Sequence, residues 1–300
     1  MAAAVVELDA RPPGPYRLPP GGRDGILRRR GRALVRMLHH EGRPVTVTAW
    51  PTAAAVRLRA EAPARESAVW GLERMRFALG LDHDVSEFQR GFRRDPLLGP
   101  VIRRKPWVRP QRRPEPFEAL AWAITEQLVE SERAWRIQRS LTWRFGRQSA
   151  CGSLRDAPAA AVLAGRSQPE LQACDLSAGR SRALVRASRE VAAGRVDLAD
   201  HEPAWMRLRT IGGIGAWTLE KLAFHGQGRD DQLPAGDLAY LKLVGQLAGL
   251  ERRATTDEVR AFFAPYEPYA ALAGLYMLHG RAWLPGKPRA RGPVPAAARW

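Results

Sequence analysis

The residue with the clearest chemical potential is an aspartate that follows a short turn-forming segment. Asp237 ends the run Leu-Pro-Ala-Gly-Asp and precedes apolar residues with the spacing of a helix. Its usual role at such a position is to cap the helix, because a carboxylate accepts hydrogen bonds from the first-turn amides. The alternative is an active-site carboxylate held at a helix N-terminus. The residue type and its position leave both roles open.

Three glycines upstream of this aspartate form a candidate phosphate site. Gly212, Gly213 and Gly215 lie between two segments of helical pattern, and the second segment contains Trp217, twenty residues before Asp237. A glycine turn that opens directly into a helix points several backbone N–H groups outward, and this arrangement binds phosphate. An ordinary helix C-cap uses glycine in the same way. The glycines alone therefore do not decide between the two interpretations.

The charge of the chain indicates a polyanionic partner. Lysine and arginine number 48 against 31 aspartates and glutamates, which gives a net charge of +17 and a pI near 11.2. Nucleic acid is the partner class that such a charge favours, and an arginine-rich composition without functional meaning is the alternative. The chain has four lysines, and arginine cannot act as an amine nucleophile. Schiff-base chemistry would need the N-terminus or one of these residues: Lys105, Lys221, Lys242 or Lys287.

Cysteine content and apolar runs exclude several other classes of protein. Two cysteines, Cys151 and Cys174, cannot ligate an iron–sulfur cluster, which needs about four thiolates. They do not indicate a disulfide scaffold either, so a reduced, cytoplasmic protein is expected. Residues 1–8 do not resemble a signal peptide, and no run of about 18 apolar residues predicts a membrane span.

The N-terminal quarter of the chain has the pattern of a small antiparallel sheet. Residues 1–25 are rich in proline and glycine toward their end and are predicted to be a flexible lead. Apolar residues then alternate with polar ones over residues 26–62, which predicts an antiparallel meander. We expect a β domain over residues 26–66, with residues 67–80 as a candidate extension, since so few strands need a partner surface.

The rest of the chain has a helical period. Residues 67–280 are predicted to form a helical region without strands, in which the longest helical stretch covers residues 117–145. Residues 281–300 combine basic residues with prolines and are predicted to be a disordered tail. The expected fold class is α+β and mainly α, with a small N-terminal antiparallel sheet.

Two segments together resemble a known repair-enzyme signature. Residues 211–218, Ile-Gly-Gly-Ile-Gly-Ala-Trp-Thr, and residues 233–237 are similar to the helix-hairpin-helix, Gly/Pro and aspartate motif of base-excision DNA glycosylases. Further segments, in the same order, resemble the DNA-3-methyladenine glycosylase II branch, so that the similarity covers roughly residues 30–280. These segments are residues 81–100, 116–129 and 176–184.

The resemblance implies a monofunctional DNA glycosylase. It assigns catalysis to Asp237, whose carboxylate would stabilise the positive charge that develops on the deoxyribose as the base departs. Members that also cleave the DNA strand carry a lysine where this chain has Trp217, and an indole cannot form a Schiff base. Trp217 could stack instead on a flipped cationic purine, with ordinary core packing as the alternative. Glycosylases of deaminated or oxidised bases, and a non-catalytic DNA-binding module, remain the competing functions.

Other site residues follow from the same resemblance. Gln127 and Leu128 match the glutamine and the apolar wedge that fills the gap left by a flipped nucleotide, although Leu128 also fits the core stripe of its helix. Lys221 replaces a tyrosine one turn after Trp217, so it could reach the base pocket or remain a solvated helix position. The family's last pocket aromatic falls near Leu275 or Tyr276. The predicted base pocket comprises Trp217, Lys221, Gln127 and Tyr276. The residues predicted to contact DNA are Gly213, Ile214, Gly215, Thr218, Leu128, Arg180 and Arg182.

The chain also departs from the family pattern near the wedge, where Glu126 and Glu130 replace small residues. Acids close to DNA are unfavourable unless they are paired, and Arg133 and Arg136 are the predicted partners. The resemblance implies no iron–sulfur cluster and no catalytic metal, and it allows a structural monovalent cation at the hairpin. The expected partner is double-stranded DNA with damaged bases, bound by a monomer that is associated with the nucleoid and not with a membrane.

Overall fold

A computed structural model of the chain describes residues 3–149 and 151–284. The chain divides into two compact units, and each is made of two segments. The predicted β domain is therefore not a unit of its own, because the sheet packs together with helices. The predicted tail lies outside the described residues from residue 285 onward. Unit 1 comprises Met1–Asp84 and Gln111–Gly228, and unit 2 comprises Val85–Pro110 and Arg229–Trp300.

Unit 1 begins with a five-stranded antiparallel sheet of strand order β1-β5-β4-β3-β2. Alternate residues of β5 are buried, Val56, Leu58 and Ala60 among them, and they face the first helix, as a half-buried strand requires. Gly71 of this helix allows the close approach, since a Cβ there would meet a methyl group of Val45. The strands are β1 (Ala4–Ala10), β2 (Arg28–Arg30), β3 (Ala33–His40), β4 (Arg43–Pro51) and β5 (Val56–Ala62).

The predicted meander over residues 26–62 is confirmed, but the prediction of a flexible lead is wrong for its first part. Strand β1 lies inside residues 1–25 and pairs with β5 along its whole length, from Ala4 opposite Ala62 to Ala10 opposite Val56. The sequence signal is the alternation of Val6 and Leu8 with polar residues. This run is short, and it becomes a strand because the open edge of β5 supplies its hydrogen bonds.

The helices of unit 1 surround an apolar core. Helix α4 is buried from Glu118 to Thr125, and it packs in the same core as α8 and α10. The single long helix predicted over residues 117–145 is in fact two helices, separated by the loop of residues 127–130. The helices are α1 (Arg65–Leu79), α4 (Pro116–Glu126), α5 (Ser131–Phe145), α6 (Ala160–Ala164), α7 (Gln168–Gln172), α8 (Ala178–Ala192), α9 (His201–Leu208) and α10 (Ala216–Leu222), which continues as a π-helical turn over Ala223–Gln227.

The regular elements in the described part of unit 2 are all helices. Its core contains an aromatic cluster in which Phe88 contacts Tyr269 and Tyr276 at centroid distances of 5.7 and 5.1 Å. Short 3-10 turns follow the last two helices. The helices are α2 (Ser86–Gly91), α3 (Leu98–Arg104), α11 (Leu238–Leu247), α12 (Thr256–Phe263) and α13 (Ala270–Gly280). Among residues 3–149 and 151–284, no helix has the length and apolar character needed to cross a membrane.

Candidate functional site

The glycine hairpin lies in unit 1 between α9 and α10. The C-cap of α9 is Arg209, with a right-handed φ of −64°, so the glycines do not cap that helix. Gly213 has a φ of +90°, which favours glycine, and Gly215 is the extended N-cap of α10. The C-cap interpretation is therefore wrong, and the glycines form a turn that opens into the first turn of a helix. First-turn amides have no intrahelical acceptor and are the usual phosphate ligands of such a turn.

Two hairpin residues that were predicted to contact DNA have buried side chains with structural roles. Ile214 is 4% exposed, its side chain belongs to the apolar core, and its N–H donates to the carbonyl of Ile211 at 2.9 Å. Thr218 is 2% exposed, and its hydroxyl accepts a hydrogen bond from Gln127. Burial of both side chains holds the turn in shape. The predicted contact of these residues with DNA, which their backbone could make, stays a prediction.

The loop between α4 and α5 is attached to the hairpin. The amide Nε2 of Gln127 donates to the carbonyl of Gly213 at 2.6 Å and to Oγ1 of Thr218 at 2.8 Å. Gln127 therefore positions the hairpin turn against the end of α4. This contact shows how residues 86 positions apart in the sequence become parts of one surface.

Leu128 follows in the same loop and is fully exposed. Its φ of +54° lies in the left-handed region, which side chains other than glycine, asparagine and aspartate rarely adopt. The alternative in which Leu128 belongs to the core stripe of a helix is wrong, because the helix ends before it. An apolar side chain held out in solvent in a strained backbone conformation indicates a functional constraint at this position.

Arg180 supports this loop from beneath. It is 8% exposed, and its Nη1 donates to the backbone carbonyl of Thr125 at 2.8 Å, in the last turn of α4. Its Nε donates to the hydroxyl of Ser177, the N-cap of α8. The prediction that Arg180 contacts DNA is wrong in this structure, since its guanidinium is committed to internal acceptors. Arg182, two residues further along α8 and therefore on its opposite face, is exposed.

Lys221 and Glu126 form an ion pair beside Trp217. The Lys221 ammonium lies 2.7 Å from Oε2 of Glu126 and 5.4 Å from the centroid of the Trp217 indole, within cation–π range. Burial alone would raise the pKa of Glu126, but attraction and hydrogen bonding from Lys221, with Arg113 nearby, hold it below its ordinary value. The predicted partners of Glu126 were wrong, because Lys221 is its counter-ion and Arg133 pairs with Asp175 instead.

A cavity of about 350 Å³ lies in unit 1, and both members of this ion pair line it. Its wall also contains Trp122, Trp135 and His225. Burial, followed by the neighbouring Lys221 charge, lowers the pKa of His225 to about 3, so its imidazole is neutral at physiological pH. The cavity thus combines aromatic rings with several charged side chains, and Asp24 and Arg113 line it together with Lys221 and Glu126.

A buried charge network connects the sheet to α4 and forms part of the wall of this cavity. The guanidinium of Arg36 forms two hydrogen bonds with the Glu118 carboxylate, and both side chains are about 3% exposed or less. Arg113 lies 2.6 Å from Asp24 and 3.4 Å from Glu118. The indole N–H of Trp122 also donates to Asp24, at 3.1 Å. The sequence holds no signal for this network, because its members lie up to 98 residues apart.

Asp237 in unit 2 is the N-cap of α11. Its Oδ1 accepts a hydrogen bond from the backbone N–H of Ala239 at 2.9 Å, and its own N–H donates to the carbonyl of Pro234. The predicted capping role is confirmed. The Pro-Ala-Gly lead forms the turn that places this carboxylate at the positive end of a helix. Burial, with the nearby Asp237 charge, raises the pKa of Tyr240 well above its usual range, so the phenol stays protonated.

Tyr276, predicted as a base-pocket residue, is a core residue of unit 2. It is fully buried in the aromatic cluster, and its hydroxyl donates to the carbonyl of Val108 at 3.0 Å and accepts from Gln89 at 2.9 Å. The prediction is wrong for this side chain because both its ring and its hydroxyl are occupied internally. Leu275, beside it, is half-buried.

Solved structures share this architecture. A 3-methyladenine DNA glycosylase from Archaeoglobus fulgidus superposes with a TM-score of 0.74 at 21% identity, over 85% of this chain and 89% of that one. An 8-oxoguanine glycosylase/lyase from Clostridium acetobutylicum, in complex with DNA, superposes with a TM-score of 0.63 at 15% identity, over 86% and 98% of the two chains. This chain has the helix-hairpin-helix DNA glycosylase fold. Since the two structures are named for different bases, the glycosylase fold does not by itself select a base.

Sequence relatives agree with the glycosylase fold. A DNA-3-methyladenine glycosylase of Bacillus subtilis is 22% identical over 207 residues, which are 66% of this chain and 67% of that protein. A probable bifunctional transcriptional activator and DNA repair enzyme AlkA of Mycobacterium tuberculosis is 29% identical over 209 residues, 66% of this chain but 40% of that protein. No family model matches the chain. The resemblance that the motifs predicted is therefore confirmed by these relatives.

The side chains of the described residues do not form a metal-binding cluster. Within residues 3–149 and 151–284, no three histidine, cysteine, aspartate or glutamate side chains are grouped so as to hold a metal ion. Cys151 is exposed and Cys174 is buried. The predictions of a hairpin cation and of cofactor-free catalysis stay predictions.

Proposed function

We propose that this protein is a monofunctional DNA glycosylase that removes a damaged base from double-stranded DNA in base-excision repair. The observation that carries the proposal is the surface formed by Gln127, Leu128 and the glycine hairpin. One element offers backbone amides to a phosphate, and the adjacent one presents an exposed apolar side chain of the kind that enters a base stack. Gln127 joins the two through its bonds to Gly213 and Thr218.

In this proposal the hairpin binds the DNA backbone through Gly213, Gly215 and the first-turn amides of α10. The net charge of +17 raises the local concentration of DNA and makes binding salt-dependent. A monovalent cation at the turn would add to this interaction. Leu128 fills the space of the extruded nucleotide, and unstacking costs least at a mismatched or damaged base.

Asp237 supplies the chemistry. As the bond between the base nitrogen and C1′ lengthens, the departing base takes the electron pair and the deoxyribose becomes oxocarbenium-like. A carboxylate stabilises this cation and orients a water molecule whose oxygen bonds to C1′. The proton that this water loses is accepted by the carboxylate, and a base that leaves as an anion is protonated by solvent. The products are a free base and an abasic site.

Because residue 217 is a tryptophan, the reaction is expected to stop at the abasic site. An indole nitrogen cannot add to C1′ to form an imine, so no β-elimination follows. Lys221 lies one turn away, but its ammonium is paired with Glu126. The DNA strand is expected to remain intact until the abasic site is treated with alkali.

The experiment that tests this function uses duplexes with single lesions. Duplexes that contain hypoxanthine, uracil, 8-oxoguanine or 1,N6-ethenoadenine, and methylated DNA, are incubated with the full chain, and free base and strand breaks are measured with and without alkali. Strand breaks that need alkali are expected, with no covalent product after borohydride treatment. Breaks without alkali, lost in Lys221→Ala, would contradict the monofunctional mechanism. Binding of DNA without release of any base would favour a non-catalytic module.

The relatives' names make alkylated bases the first class to test. Deaminated or oxidised bases are the second, because this chain departs from the family pattern at Lys221, beside Trp217.

Replacement of Leu128 with alanine tests the wedge. Base release is expected to fall by about tenfold, since the smaller side chain fills less of the gap that the flipped nucleotide leaves. Stability is expected to stay close to that of the wild type, because the Leu128 side chain is fully exposed and contributes nothing to the core. Single-turnover release and thermal denaturation measure the two effects. Met206, also exposed, offers a matched control as Met206→Ala, and an equal loss of release in both variants would contradict the wedge.

A further inference from the structure

The end of α4 is tied to two other helices of unit 1 immediately before the loop of residues 127–130. Arg180 of α8 donates to the carbonyl of Thr125 at 2.8 Å, and both residues are buried. The ammonium of Lys221 lies 2.7 Å from the carboxylate of Glu126, and Lys221 belongs to α10, which follows the glycine hairpin. The start of the loop is therefore fixed relative to the hairpin by groups that are largely shielded from water.

Gln138 ties the same turn of α4 to the helix on the other side of the loop. It lies two turns after Ser131, where α5 begins. Its amide Nε2 donates to Oγ1 of Thr125 and to Oε1 of Glu126, both at 3.1 Å. Gln138 is fully buried, and both N–H bonds of its amide are used in this way. The side chain thus connects the two helices between which the loop is held.

The loop between these two helices holds Leu128 in a conformation that its residue type does not favour. Its φ of +54° is left-handed, and a leucine without restraints prefers the right-handed or extended region. A strained backbone conformation persists only where the surrounding contacts over-determine it. The Leu128 side chain is fully exposed, so it contributes no packing of its own. The restraint therefore comes from the ends of the loop and from Gln127, which is bonded to the hairpin.

We propose that Gln138 is a positioning residue, which acts through Thr125 and Glu126 to hold Leu128 in the conformation that enters the base stack. The proposal rests on the glycosylase function, in which Leu128 is the wedge. A wedge that is already held out in the free protein loses less conformational entropy when it enters DNA. Without the tie to α5, the end of α4 can fray and Leu128 can relax, so a smaller fraction of the free protein is competent to flip a base.

Gln138 contributes less to the stability of the fold than its burial suggests. Its Oε1 is buried and has no hydrogen-bond partner among the described residues. A buried acceptor without a partner costs free energy, which offsets the gain from the two donated bonds. Methionine has a similar length and carries no such acceptor, and Glu126 keeps Lys221 as its counter-ion in that variant. Gln138→Met is therefore expected to keep the fold.

The test measures whether Gln138 acts through Leu128. Gln138→Met in the full chain is expected to lower single-turnover base release about three- to tenfold, the effect of one hydrogen bond on an equilibrium. The double variant with Leu128→Ala is expected to release bases at the rate of Leu128→Ala alone, because a wedge that is absent cannot be mispositioned. Multiplication of the two losses in the double variant would overturn the proposal, and so would an unchanged rate in Gln138→Met.

A spectroscopic signal separates a positioning effect from a general loss of structure. The fluorescence of a 2-aminopurine placed beside the lesion rises when base flipping unstacks it. Gln138→Met is expected to reduce this rise while thermal denaturation stays close to that of the wild type. Gln89→Met is the matched control, because the Gln89 amide also donates two hydrogen bonds, to the Pro106 carbonyl and the Tyr276 hydroxyl, but within unit 2. An equal reduction in both variants would overturn the proposal.

A measurement on the wild type covers a Gln138 variant that fails to fold. The NMR backbone order parameter of Leu128 in the free protein is expected to be about 0.85, the value of rigid backbone, since the loop is held before DNA arrives. A value below about 0.6, which is typical of flexible backbone, would overturn the proposal. Failure of the glycosylase function has a separate signature, because the wild type would then release no base from any duplex even with a rigid Leu128.

Discussion

Replacement of Asp237 with asparagine is expected to lower base release at least about 100-fold while the fold stays intact. The loss follows because a neutral amide cannot stabilise the cationic sugar as a carboxylate does. The fold is retained because asparagine is as good an N-cap as aspartate, and its Oδ1 can accept the same bond from Ala239. Single-turnover release from a lesion duplex and thermal denaturation measure the two effects.

This substitution separates the two roles of the carboxylate, which an alanine would not. Asp237→Ala also removes the cap, at a cost of about 1 kcal/mol, so its loss of activity would be ambiguous. Asp95 is a matched control in the same unit, because its Oδ1 accepts from the N–H groups of Leu97 and Leu98. Asp95→Asn is expected to release bases at a rate close to that of the wild type. If Asp237→Asn did so too, Asp237 would be a cap and the catalytic carboxylate would be another residue.

Replacement of Glu118 with leucine is expected to destabilise the protein by about 3–5 kcal/mol. The substitution removes the carboxylate that forms two hydrogen bonds with the buried Arg36 guanidinium and leaves Asp156, 3.6 Å away, as its remaining counter-ion. Removal of one partner from a buried ion pair is far more costly than replacement of both. Arg113 would also lose one of its two carboxylate neighbours. Urea denaturation at neutral pH measures the change in the free energy of unfolding.

A double variant tests whether the loss of stability arises from the Arg36 charge that loses its hydrogen-bonded partner. Arg36→Met combined with Glu118→Leu is expected to be less destabilised than the sum of the single variants, since no buried charge is then left without a partner. Asp24 keeps Arg113 and Asp156 keeps His39 in that background. Asp175→Asn breaks the exposed pair with Arg133 and should cause a much smaller loss. Additive effects of Arg36 and Glu118 would show that the pair does not act as a unit.

Features with a local cause could be predicted from the sequence. The glycine turn at Gly213, the cap at Asp237 and the meander of residues 26–62 each depend on backbone preferences within a few residues. Strand β1 was missed because a short strand needs a partner edge, and the partner β5 lies about fifty residues further along the chain. The end of α4 at Glu126 was missed because the apolar spacing of residues 117–145 continues through the loop that follows it.

The roles of single side chains at the site depended on contacts between distant residues. Whether Leu128 was a wedge or a core residue depended on where α4 ends, and the structure leaves it fully exposed. Arg180 and Tyr276 carry groups suited to a binding site, yet both are satisfied by internal partners. The spacing of apolar residues indicates which face of its own helix a residue lies on. It does not indicate what packs against that face.

The sequence by itself determined that three glycines separate two helical segments, that an aspartate stands where it can cap a helix, and that residue 217 carries no amine. Each of these is a property of residue type and local spacing. Only the tertiary structure decided that Gln127 joins the hairpin to the wedge, and that Lys221 is paired with Glu126 at a cavity. These contacts join residues more than 80 positions apart, and burial from several elements at once sets which charges meet. The periodicity of one segment cannot contain that information.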